Sequence, residues 1–131
     1  MTDIQNFAEV IKSFKINCDK TEYGFVSVQN TQFKFEDGML GTFQEDRGVT
    51  IIATKEYLDK NDLQYHILFA KLEIEIDPNL QVMGFTSFLA NKLTENNVAV
   101  NIVSGYFHDY LFVQYDIYQK VVEILNNLQQ N

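Results

Sequence analysis

The sequence predicts an α+β fold of two tandem ferredoxin-like units, derived from the order βαββαβ, with antiparallel sheets covered by helices and a degenerate first unit. Three observations predict it. The stretch from Ile74 to Val113 reads strand, helix, strand, strand, with the only proline, Pro78, in the loop before the helix. The strand leading into it alternates: Leu68, Ala70, Leu72, Ile74 and Ile76 share one face, and Lys71, Glu73 and Glu75 share the other. One face then covers a core while the other stays wet, as in an antiparallel sheet with helices on one side. Apolar residues also recur at helical spacing near both chain ends.

Taken in order, Thr2 and Gln5 form a capping-box pattern, and Ile4, Phe7, Val10, Ile11 and Phe14 predict a helix over 3–15. Tyr23 to Val28 reads as a strand, which Phe33 and Phe35 extend into a hairpin beyond Asn30. Met39–Phe43 and Gly48–Ala53 are strands around the polar turn Gln44-Glu45-Asp46-Arg47. Thr54 caps a short helix to about Lys60. The longest strand runs from Tyr65 to Ile76. The helix after Gly84 buries Phe85, Phe88, Leu89 and Leu93, and Asn97 supplies a left-handed stop. Val98–Phe107 and Tyr110–Tyr115 form a hairpin with a very short turn at His108-Asp109. Asp116 starts the last helix, with Ile117, Val121, Ile124, Leu125 and Leu128 inward.

The second unit, 64–131, therefore lacks only the closing strand of a βαββαβ module. The first, 1–63, carries a leading helix and has a loop from Gln29 to Gly38 in place of its first unit helix. No low-complexity linker divides them, so the halves should pack as one body and share or swap strands across one sheet. Something must supply the missing strand, because an open apolar edge invites aggregation.

At 131 residues and 46% hydrophobic content the chain can bury a real core. A net charge of −8 argues against nucleic acid, which needs a basic surface. The single cysteine, Cys18, excludes an internal disulfide and a multi-cysteine zinc site. Neither a signal-peptide pattern nor a long apolar run is present, so a cytoplasmic protein away from membranes is expected.

Gly84 is the first candidate site residue. It allows close backbone approach, and a helix N-terminus offers free N–H groups to an anion. Asn101 is the lone polar residue in Val98–Val103, so its amide needs a partner if buried. Against these stand plainer roles, a turn for Gly84 and a backbone bond for Asn101. His108 and Asp109 invite a dyad or a metal, yet the chain has only two histidines, and a tight turn favours aspartate for geometry alone. Glu45 and Asp46 are adjacent in an extended segment and point opposite ways. No phosphate loop and no nucleophile beside a base is evident, so neither a cofactor nor catalysis is expected.

Three segments resemble a known family: Thr42-Phe43-Gln44-Glu45-Asp46-Arg47-Gly48-Val49-Thr50, then Val82-Met83-Gly84-Phe85-Thr86, then Asn101 through Val113. Over roughly Glu22 to Leu128 the chain resembles bacterial uncharacterised ACT-domain-containing proteins with two tandem ACT-like units. The resemblance implies a regulatory or sensory module holding an amino acid where two sheets pair side by side, as a homodimer. It implies that Met83, Gly84, Phe85 and Thr86 grip the ligand carboxylate and that Asn101 holds its amino group. Glu45 would meet the ammonium, and His108 and Asp109 would contact the ligand or brace the turn. The chain departs from the family at Gln44, Tyr110 and Gln114, where arginine, histidine and proline are usual. Without that arginine a bidentate carboxylate clamp is missing. The competing expectation is an interaction domain with a vestigial pocket, using a sheet edge to bind protein.

Overall fold

A computed structural model describes residues 3–29, 34–80 and 82–130. The Thr2–Gln5 capping pattern and the extension through Asn30 and Phe33 lie outside the described residues and side chains.

The elements are α1 (Asp3–Ser13), β1 (Lys15–Asn17), β2 (Tyr23–Val28), β3 (Met39–Glu45), β4 (Gly48–Thr54), α2 (Lys55–Lys60), β5 (Phe69–Glu75), α3 (Phe85–Glu95), β6 (Asn101–Ser104), β7 (Asp109–Gln114) and α4 (Tyr118–Asn127). All strand pairs are antiparallel and join one seven-stranded sheet in the order β3-β4-β2-β5-β7-β6, with β1 also paired to β5. The ferredoxin-like architecture expected from the sequence is present.

The strand that the second half lacks comes from the N-terminus. Lys15, Ile16 and Asn17 pair with Glu75, Ile74 and Glu73, beside β5 and antiparallel to it. That is where a βαββαβ unit places its closing strand, next to its first. The predicted helix over 3–15 ends at Ser13, so that Lys15 can enter the sheet. Three residues are too few for periodicity to reveal, which is why the sequence gives no sign of β1.

All four helices cover the same sheet face. One core gathers Val10 and Phe14 of α1, Ala70, Leu72 and Ile74 of β5, Phe85, Leu89 and Leu93 of α3, and Val121 and Leu125 of α4. Phe85 centres it, meeting Phe7 at 5.6 Å and Phe14 at 5.3 Å edge to face. A smaller core holds Val26, Met39, Ile51, Ala53 and Leu58 under α2. No polar or charged side chain is buried among the described residues.

Several boundaries shift for local reasons. Strand β5 starts at Phe69 rather than Tyr65, because the Tyr65 hydroxyl is drawn to Asp59 Oδ1 at 2.8 Å and its ring packs on the smaller core. The hairpin turn is Gly105–His108, closed by Gly105 N–H donating to the His108 carbonyl at 2.8 Å, so Asp109 already belongs to β7. Thr54 caps α2 by accepting from Tyr57 N–H at 3.1 Å, and Asn97 stops the helix before β6 at φ 62°. Before α4 the chain makes a 3₁₀ turn over Tyr115–Ile117.

Candidate functional site

The chain leaves β5 through a turn at Asp77, whose carboxylate accepts from Asn79 N–H at 2.9 Å and whose carbonyl accepts from Leu80 N–H at 2.9 Å. It reaches α3 through Gly84, which sits in the left-handed region at φ 78°. A side chain there would be strained by the backbone although the space around it is open. No side chain caps α3, so its first-turn N–H groups remain available. Phe85 is buried in the core at 3% exposure, while Met83 is 85% exposed.

One residue further, the Thr86 hydroxyl donates to Asp109 Oδ2 at 2.5 Å. This bond ties the first turn of α3 to the start of β7. A small cleft of about 200 Å³ opens beside it, lined by Ile74, Ile76 and Gly105 to Asp109. His108 Nε2 lies 4.0 Å from Glu73 Oε1, which also accepts from the Tyr110 hydroxyl at 3.4 Å. The other Glu73 oxygen accepts from the Asn17 amide at 2.9 Å.

The fold thus brings Gly84, Thr86, His108 and Asp109 to one end of the sheet. Asn101 does not join them within the chain. It is exposed at the start of edge strand β6, opposite Phe112, whereas Ser104 at the other end of β6 faces Asp109. Three residues of strand put Asn101 roughly 10 Å from that end. Glu45 lies on the opposite outer strand, β3, where its carboxylate accepts from the Thr50 hydroxyl.

Sequence reasoning passed over Glu73 and Asn17. Glu73 read as one of several wet residues on an alternating strand, and only the unforeseen β1 puts Asn17 against it. Cys18 is half-buried, and burial, followed by the adjacent Asp19 carboxylate, raises its thiol pKa against a lowering pull from Lys71. A raised pKa keeps it a thiol, the unreactive form. Among the described residues no cluster of three or more His, Cys, Asp or Glu side chains could hold a metal ion. No described helix is long and apolar enough to cross a membrane.

Two ACT-domain family models match the chain, one over residues 2–70 and the other over residues 66–127. Among curated proteins none matches it. Among solved structures, a Vibrio cholerae protein of unknown function superposes with a TM-score of 0.87 at 25% identity, covering 98% of this chain and 100% of that one. A protein from Agrobacterium tumefaciens gives 0.76 at 15% identity, with 88% and 89% covered. A Porphyromonas gingivalis protein described as a C-terminal regulatory domain of aspartate kinase gives 0.61 at 10% identity, covering 92% of this chain and 99% of that one.

Proposed function

The chain belongs to the ACT-domain family of ligand-binding regulatory modules, and on that premise we propose that it binds an amino acid or a closely related metabolite as a cytoplasmic homodimer, without catalysis. The observation that carries this reading is the uncapped, Gly84-led start of α3, braced by the Thr86–Asp109 bond beside an open edge strand. The first-turn N–H groups of α3 receive the carboxylate, and Gly84 lets it approach the backbone.

Pairing of two copies through β6 explains the position of Asn101. An edge strand leaves one row of N–H and C=O groups unpaired, and a twofold antiparallel pairing satisfies both rows at once. In such a pair the strands run antiparallel, so Asn101 at the start of one β6 lies beside the far end of the other, where Ser104 pairs with Asp109, the residue that Thr86 holds. The amide then reaches the helix start of the second copy, where it accepts from the ligand ammonium. Each site is built by both copies.

Thermal-shift measurements against the twenty amino acids and their close relatives test this reading. A ligand at 100 times its Kd stabilises the folded protein by about 2.7 kcal/mol. Stabilisation by at least one compound is expected, and no shift with any of them at millimolar concentration would sink the idea.

One observation favours a second reading, a protein-interaction domain. Tyr106 and Phe107 are 95% and 85% exposed at the tip of the β6–β7 hairpin, with Met83 also exposed. A stoichiometric foreign protein retained from lysate supports that reading, and a clean dimer counts against it.

A further inference from the structure

The sheet face that the helices leave bare carries a break. Along one side of β5, β2 pairs at Phe69 and β1 pairs from Glu73 onward, while the chain between them crosses over at 18–22. The middle of β5 therefore has a strand neighbour on the β7 side alone. A cleft of about 450 Å³ sits over this gap, lined by Ile16, Asn17, Cys18, Asp19, Lys71 and Glu73. That volume lies in the range of small-molecule sites.

Lys71 supplies the charge that gives the cleft a preference. Its ammonium is held 5.1 Å from the Tyr23 ring and 5.7 Å from the Tyr110 ring, on a half-buried stem. Among the described residues no carboxylate comes within ion-pair distance of it. In a chain of net charge −8, a fixed lysine without a carboxylate partner is a specific place for an anionic group. Two residues along the same face stands Glu73, and Asp19 also lines the cleft. A simple anion meets those carboxylates as repulsion. A zwitterion meets them as complement.

We infer that this cleft is a second binding site, separate from the Gly84 end, for a small zwitterion of the α-amino-acid type. Its carboxylate sits on Lys71 and its ammonium lies between Glu73 and Asp19. The Tyr23 and Tyr110 rings flank Lys71 from the two sides of β5, and the strand gap leaves space beside it. Asn17 bridges Glu73 and Glu75, donating to Oε2 of each at 2.9 and 3.0 Å, which fixes the acidic wall before a ligand arrives.

Two-dimensional amide NMR on the ¹⁵N-labelled full chain separates the two sites. Each of the twenty amino acids is titrated in turn, with acetate and methylammonium as single-charge controls. At least one amino acid should produce saturable shifts at Asn17, Asp19, Lys71 and Glu73, and neither control should reproduce them. Lys71→Met should weaken that binding at least tenfold while signals from Gly84, Thr86 and Asn101 respond as in the unchanged protein. Glu73→Gln, which keeps the shape and one accepting oxygen for Asn17, should weaken it as well and serves if the lysine variant does not fold. Shifts confined to Gly84, Thr86 and Asn101 would overturn the second site and leave the first standing. Shifts at Lys71 that acetate matches, or that survive both substitutions, would also overturn it.

Discussion

The two halves of this molecule fill their cores unequally. Among the described residues, thirteen buried side chains form the core of the second half and five form that of the first. The larger core is completed by residues from the N-terminus: β1 closes the sheet beside β5, and α1 packs Val10 and Phe14 against α3 and α4. The smaller core has α2 alone above it, a helix of six residues. A unit that borrows its closing elements from the start of the chain folds only when both ends have met. The second half accordingly depends on the start of the chain for its closing strand and for part of its core.

Removing residues 1–17 is expected to break that comparison most severely. It strips Val10 and Phe14 from the core and bares β5 from Glu73 to Glu75. The truncated chain should show no cooperative unfolding transition by circular dichroism, whereas an independent second half would keep one. Phe85→Ala comes next. It empties the site where Phe7 and Phe14 meet and should cost about 3–5 kcal/mol in denaturant unfolding.

In the first half, Gly24→Ala should cost about 1–3 kcal/mol by overpacking, because a Cβ there would lie 2.6 Å from Leu58 Cδ1. Combining it with Leu58→Ala should recover part of that loss, which a double-mutant cycle measures. Gly84→Ala meets open space and suffers only its left-handed backbone, about 1–2 kcal/mol.

The smallest effect is a pH dependence at α2. Hydrogen bonds from Lys55 and Tyr65 hold the Asp59 carboxyl below the usual carboxylate range. A depressed folded pKa means stabilisation that is present above the unfolded value of about 4 and fades as pH falls through the folded value. Asp59→Asn should lower thermal stability slightly near neutrality, and the difference from the unchanged protein should vanish as pH falls below about 4. The group is solvent-exposed, so the difference stays small.

Much of this fold was legible in the sequence. Strand β5 announced itself by alternation, α3 by its stripe and by Gly84, and α2 by its Thr54 cap, because each signal is local. Strand β1 was not legible: three residues become a strand only through pairing with Glu73–Glu75, far along the chain. At the candidate site the same division holds. Thr86 and Asp109, which the sequence offered on separate segments, are joined by a hydrogen bond, with Gly84 and His108 close to them in the chain. Asn101 is set apart by the length of its own strand, and Lys71 hides in an alternation that reads as plain solvent exposure.

The central claim is that each amino-acid site is shared between two copies, and subunit mixing tests it most directly. Gly84→Asp places a carboxylate where the ligand's would sit, and Asn101→Ala removes the amide. The ligand is the amino acid giving the largest thermal shift, and calorimetry counts the sites. Neither variant alone should bind at the shared site. An equimolar mixture, exchanged to equilibrium, should recover about a quarter of the wild-type sites, since half the dimers are mixed and each has one intact site. No recovery on mixing, or full binding by either variant alone, would contradict the account.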